Sequence, residues 1–145
     1  MSDSNVPPEI LAQMIADAAW LKADFFQHFV VLTAPEVATL SGHSVNDAER
    51  VLDTWRAARK VLSITRDGIE VFPSFQFGGD GQPLPVVGQV LELFSKVPSR
   101  VDWDNAIWFV AANGWLGGRM PYELLTNAPQ KVKHAAEQEV LPDIE

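Results

Sequence analysis

Apolar positions along the chain fall first at helical spacing, then alternate, then return to helical spacing. Ile10, Leu11, Met14, Ile15, Ala18, Leu21, Phe25, Phe26 and Phe29 share one broad face at about 100° per residue, and Pro7 and Pro8 suit a first helical turn. The pattern predicts a helix to about Val30, with Trp20 pointing away from the apolar face. Such a face either covers the core of its own chain or forms part of a dimer interface, because large apolar surfaces are seldom left to solvent. Thr33-Ala34-Pro35-Glu36 has the order of a capping box, with Thr33 as N-cap and Glu36 three residues on, and predicts a second helix closed by Gly42. Ser44 caps a third helix to about Lys60, buried through Val45, Ala48, Leu52 and Trp55. Two short helices followed by a hairpin over 64–72 around Asp67-Gly68 outline a winged helix-turn-helix.

The period then changes. Ile69, Val71, Pro73, Phe75 and Phe77 occupy every second position, the spacing of a half-buried strand. Gly78-Gly79-Asp80-Gly81, Pro83 and Pro85 end regular structure. A strand with one apolar face needs cover, so the stretch 68–85 is predicted to be a joint packed between two helical halves. Beyond it, Val87, Val90, Leu91, Phe94 and Val97 predict a helix. A further helix over 103–113 is buried through Trp103, Ala106, Ile107, Phe109 and Val110, which leaves Trp108 off the stripe. Asn113-Gly114 and Gly117-Gly118 punctuate a loop, Pro121 opens a short helix holding Leu124 and Leu125, and a weakly amphipathic helix over 130–140 turns Val132, Ala136 and Val140 inward. The predicted fold is mainly α with a short β-hairpin: an N-terminal helix plus a winged helix-turn-helix-like lobe over 1–73, then a small helical C-terminal lobe over 74–145.

Composition narrows the classes. With 145 residues, 47% of them hydrophobic and 21% charged, the chain can bury a core of its own. It has no cysteine, which excludes disulfides, thiol chemistry and thiolate metal sites and fits a reducing compartment. The first basic residue is Lys22, so a secretory leader is not expected and the cytoplasm is the expected location. Asp17, Lys22 and Asp24 argue against a membrane span over 10–32, each costing roughly 2.5–3.5 kcal/mol near a bilayer centre.

A formal net charge of −8 repels nucleic acid, so DNA contact would have to rest on a local patch. On the third helix, Asn46 and Arg50 lie one turn apart and suit adenine and guanine edges, with Ser44 at the helix start. Arg56, Arg59, Lys60 and the wing residue Arg66 are candidates for phosphates. Asp47, Glu49 and Asp53 share that helix, which is no basic footprint. Signals of catalysis are weak. His28, His43 and His134 have no metal-ligand spacing, Asp102 and Asp104 do not share a helix face, and Gly78-Gly79-Asp80-Gly81 lacks the lysine of a phosphate loop. No catalytic residue, metal or cofactor is expected.

Several stretches together carry a resemblance. They are the entry Leu32-Thr33-Ala34-Pro35-Glu36-Val37-Ala38-Thr39-Leu40-Ser41-Gly42, then Trp55, Gly68, the joint Phe72-Pro73-Ser74-Phe75-Gln76-Phe77, Gly81 and Val90-Leu91. Trp103, Phe109, Asn113, Leu116, Gly118, Pro121 and Leu124-Leu125 follow. Over 32–140 this pattern resembles antitoxins of the Xre/ParS type, whose C-terminal domain binds a RES-domain toxin. The resemblance implies a homodimer in which an N-terminal lobe contacts operator DNA and a C-terminal lobe covers the active site of an NAD-consuming toxin. It implies a toxin-facing surface at Asn113, Leu116, Gly118 and Pro121, with Trp108 and Arg119 nearby. The chain departs from the pattern at the acidic start of the third helix, Val45-Asn46-Asp47-Ala48-Glu49, where such antitoxins carry polar or basic residues. The expected function is neutralisation of a RES-type toxin with autoregulation of the operon. The alternative is a DNA-binding transcriptional regulator without a toxin partner.

Overall fold

A computed structural model describes residues 6–144; the outermost positions of the predicted spans 1–73 and 74–145 lie outside the described residues. The chain divides into two compact units, Met1–Val30 and Val31–Glu145, so the boundary expected after residue 73 falls inside the second.

The first unit is one helix, α1 (Pro8–His28), with proline in its first turn. Near its end Phe25 is buried, with the rings of Phe26 and Phe29 at 5.8 and 5.1 Å. Ile10, Leu11, Met14, Ile15 and Leu21 are exposed, as is Trp20. Among the described residues no helix is long and apolar enough to cross a membrane.

The second unit opens with a two-residue strand, β1 (Val31–Leu32), which the sequence reading did not foresee. The capping box of α2 (Ala34–Leu40) forms as expected: Thr33 N donates to Glu36 Oε1 at 2.8 Å and Glu36 N donates to Thr33 Oγ1 at 3.4 Å. Ser44 caps a 3-10 turn, Val45–Asp47, and α3 proper runs Ala48–Ala57. That tighter first turn rotates Val45 off the buried stripe, and Val51 joins the core in its place. The helix-turn-helix core is Val37, Val51, Leu52, Trp55, Val61 and Phe72.

The expected hairpin forms between β2 (Ile64–Arg66) and β3 (Ile69–Pro73), with Ile64 opposite Val71 and Arg66 opposite Ile69. On the other edge β1 pairs antiparallel with β3, Leu32 opposite Phe72, giving the order β1-β3-β2. The strict alternation expected for this stretch fails. Ile69 is exposed while Val71, Phe72 and Pro73 are buried in succession, because the central strand is covered on both faces. A 3-10 turn, Ser74–Gln76, then lifts Phe75 and Phe77 out of the strand.

This stretch is a packed joint all the same, held by polar and aromatic contacts. Gln76 is fully buried. Its Oε1 accepts from Leu62 N at 2.7 Å, and its Nε2 donates to Leu62 O at 2.8 Å and Pro73 O at 3.0 Å. One amide thus closes the backbone of the segment leading into β2, as a strand neighbour would. The half-buried Phe75 ring lies 5.8 Å from Phe109 and 5.6 Å from Tyr122. Gly81 sits so near the end of α2 that a Cβ there would lie 2.1 Å from Leu40 O.

The remaining helices are α4 (Pro85–Phe94), α5 (Asp102–Val110) and α6 (Pro129–Ile144). α4 packs on α6, burying Val87, Val90 and Phe94 on one side and Val132, Ala136 and Val140 on the other. α5 buries Ala106 and Phe109 of the expected stripe, leaves Trp103, Ile107 and Val110 half-buried, and buries Trp108, which was expected off the stripe. The Trp108 ring meets Phe94 edge-on at 5.2 Å while Phe109 faces Phe75, so the helix is covered over a wider arc than one stripe.

Candidate recognition surfaces

The residues proposed for DNA separate into distinct groups. Ser44, Asn46 and Arg50 are exposed at the start of the third helical segment; the Ser44 hydroxyl is occupied as a cap for Asn46 N, and Arg50 lies 3.7 Å from Asp47. Arg56 belongs to a carboxylate cluster. Its guanidinium grips Glu70 of β3 through both Nε (3.1 Å) and Nη2, and its Nη1 donates to Asp53 at 2.7 Å, with Glu49 at 3.9 Å. Burial pushes the Glu70 carboxyl up, but hydrogen bonds from Arg56 and Ser63 and the Arg56 charge outweigh it, so Glu70 titrates below its ordinary range. The Glu70 hydrogen bond in turn holds Arg56 more firmly protonated, against the cost of burial. Arg59 pairs with Glu92 of α4 at 3.4 Å. Arg56 and Arg59 line a cleft of about 450 Å³ with Phe94, Arg100 and Asp102, a cleft that includes neither Asn46 nor Arg50. Burial, and then the charge of Glu70, raise the Asp102 carboxyl. Lys60 lines a separate hollow with Trp55 and Gln82, and Arg66 is exposed on β2.

The residues expected to face a partner mostly do come together, in a loop with an internal frame. Asn113 Oδ1 accepts from Trp115 N at 2.9 Å, its carbonyl accepts from Leu116 N and Gly118 N at 3.0 and 2.9 Å, and its own N–H donates to Arg119 O at 3.1 Å. One asparagine thereby closes the loop on itself. Gly117 and Gly118 take φ of +66° and +85°, conformations that glycine reaches without Cβ strain. Leu116 and Pro121 are buried beneath the loop and anchor it. Trp108 is a core residue, 7% exposed, and its placement at a surface is corrected: α4 covers it through Phe94.

The aromatic that does project is Trp115, 61% exposed, which the sequence reading passed over. The signal was the Asn113 cap, which sets Leu116 inward and its neighbour outward. The Trp115 ring stands edge-on to His134 of α6 at 5.6 Å. Trp115, Leu116, Arg119, Leu124, Lys131 and His134 are among the residues around a cleft of about 560 Å³ with an apolar floor and a basic rim. Among the described residues, the Arg119 guanidinium has one carboxylate contact, an exposed pair with Glu123 at 3.5 Å.

A likeness to a known structure bears on the fold. An NMR structure of Rv2175c superposes on the chain with a TM-score of 0.60 at 21% identity, covering 77% of this chain and 82% of that one. At that identity the likeness speaks for the fold alone. No family model and no curated protein matches the chain.

Proposed function

We propose that this protein is an antitoxin-like binding protein that neutralises a RES-type toxin through its C-terminal half. The observation that carries the reading is the self-closed loop at 113–121, which presents Trp115 and Arg119 from a fixed backbone beside an apolar cleft with a basic rim. A loop ordered before binding loses little conformational freedom on association, and an exposed Trp with a neighbouring Arg is the composition of a binding hot spot. The test is co-expression with the neighbouring reading frame and recovery of a RES-type partner, followed by Trp115→Ala and Arg119→Glu. Each variant is expected to weaken the complex by roughly 30-fold or more, in line with a hot-spot loss of about 2 kcal/mol. Retention of full affinity by both, with unchanged melting, refutes the site.

The second reading is operator binding, favoured by the exposed pair Asn46 and Arg50 at the start of the second helical segment of a winged helix-turn-helix-like outline. Gel shift with the chain's own upstream region tests it. Binding that weakens with salt and with Arg50→Ala supports it, and no shift at low salt removes it.

A further inference from the structure

The cleft that Arg56 and Arg59 line holds two charges that the fold leaves uncommitted. Val61, Leu91, Phe94 and Val97, all buried residues, give it an apolar floor, and at about 450 Å³ it has the size of a small-molecule site. Most of its polar groups are occupied. Arg56 is taken by Glu70 and Asp53, while Arg100 lies over the Phe94 ring at 4.1 Å and donates to Asn105, Glu139 and the Asp104 carbonyl. Asp102 is different. The carboxylate that accepts from Val101 N at the start of α5 is Asp104, at 2.9 Å, so Asp102 has no capping role. Among the described residues Asp102 accepts no hydrogen bond and makes no ion pair, although three arginines line the same cleft and the Glu70 charge opposes its own. Asn105 lies one turn further along the same helix face. Arg100 Nε fixes its Oδ1 at 2.9 Å, and its Nδ2 donates to no described residue.

The uncommitted cation is Arg59. Among the described residues it makes one ion pair, an exposed one with Glu92 at 3.4 Å, of the kind that a competing anion displaces at small cost. It follows the end of α3 with φ of +53°, in the left-handed position that glycine usually fills, where Lys60 N donates to Trp55 O at 2.8 Å. An arginine there carries a backbone strain that glycine would not.

We propose that this cleft binds a free α-amino acid with a large apolar side chain, its ammonium on Asp102 and its carboxylate on Arg59. Charge selects the class. A simple anion would be opposed by Asp102 and a simple cation by Arg59, whereas a zwitterion pairs both. Asn105 Nδ2 offers the carboxylate a further donor, and the side chain covers Val61, Leu91 and Val97. The site uses neither the loop at 113–121 nor Asn46 and Arg50, so it stands or falls separately from both readings above. Its walls come from α3, β3, α4 and α5, so an occupant touches the helix-turn-helix and the C-terminal helices together.

The test titrates the full chain with L-leucine and with L-phenylalanine, followed by heteronuclear NMR and calorimetry. Binding is expected with a Kd on the order of 1 mM, the scale for so small a ligand, and with shifts at the Asn105 side-chain amide and the Val61 and Val97 amides. Isoamylamine, which is leucine without its carboxylate, and isocaproate, which is leucine without its ammonium, are each expected to bind roughly tenfold more weakly or worse. Asp102→Asn keeps the shape and removes the charge, and is expected to weaken leucine binding by roughly tenfold. Arg59→Gly separates binding from folding: it removes the guanidinium and the backbone strain together, so affinity is expected to fall by a similar factor while the melting midpoint falls no lower than the native one. Absence of any shift at roughly ten times the expected Kd overturns the proposal. Equal binding of either singly charged analogue overturns the zwitterion, and unchanged affinity in both variants overturns the site.

Discussion

Replacing Gln76 by leucine keeps the volume of the side chain and removes its polar end. In the native chain one amide satisfies Leu62 N at 2.7 Å, Leu62 O at 2.8 Å and Pro73 O at 3.0 Å, all out of water. The variant leaves the N–H and C=O of Leu62 buried without a partner, each costing about 1–3 kcal/mol. The added apolar surface returns about 1 kcal/mol, so the net loss is about 1–5 kcal/mol. Against a total stability of about 5–15 kcal/mol, that is a large share. Urea unfolding followed by circular dichroism and tryptophan fluorescence should show the midpoint falling by roughly 0.5–2.5 M with an unchanged slope. Gln76→Glu keeps an acceptor for Leu62 N but loses the donor and buries a charge, so its defect should exceed that of Gln76→Leu at neutral pH. It should shrink on acidification, as the protonated carboxyl regains a donor. A loss below about 1 kcal/mol for Gln76→Leu would mean that Leu62 is solvated by another route and that the amide is not the pin.

Other expectations follow from the same contacts. Gly81→Ala places a Cβ 2.1 Å from Leu40 O and 2.8 Å from Ser41 Cα, both backbone, and should cost about 3 kcal/mol or more or prevent folding, as read by thermal melting. Phe75→Ala should cost about 2 kcal/mol in urea unfolding, below the full-burial range, because the ring is half-buried between Phe109 and Tyr122. The Glu70 carboxyl is held below its ordinary value of 4.5, so its contribution is present above that value and is lost as pH falls through the lower folded one. The stability gap between the native chain and Glu70→Gln should therefore be open at pH 6 and close below about pH 4.5, by urea midpoints across pH; a gap constant over that range refutes the assignment.

Much of the fold could be read from residues because local signals agreed with their surroundings. The Thr33-Glu36 box, the Asp67-Gly68 turn and the proline-led helices each have a mechanism that needs no tertiary partner, and they formed. The misreadings share a cause. Val45, Ile69 and Trp108 were assigned by period, and period misleads where a 3-10 turn shifts the phase, where a strand is covered twice, or where a short helix is packed from two sides. Gln76 could not be read at all, since a glutamine at the end of a strand looks solvated until the chain closes around it. Of the candidate partner surface, the loop at 113–121 was legible from its asparagine and glycines. Its joining to Lys131 and His134 of α6 is a tertiary fact with no local trace.

The ion pairs distinguish the two candidate surfaces. Arg56 ties α3 to the hairpin: it holds Glu70 through two nitrogens and is only 30% exposed in its side chain. Drawing it toward a phosphate would strand the partly buried Glu70 carboxylate, whose burial cost is offset by hydrogen bonds from that arginine and Ser63. Arg119 is placed differently. Its one carboxylate contact among the described residues, Glu123, is an exposed pair of the kind worth about 0–1 kcal/mol, and the same Glu123 oxygen already accepts from Met120 N at 3.0 Å. A partner's carboxylate can therefore take Arg119 at small cost, with Glu123 left satisfied as a cap. The comparison predicts that Arg56→Ala lowers stability by about 1–2 kcal/mol while Arg119→Ala changes it by less than about 0.5 kcal/mol. Equal losses in urea unfolding would mean that Arg119 too is a structural tie, and the case for recognition by charge at the C-terminal cleft would then rest on Lys131 alone among its permanently charged residues.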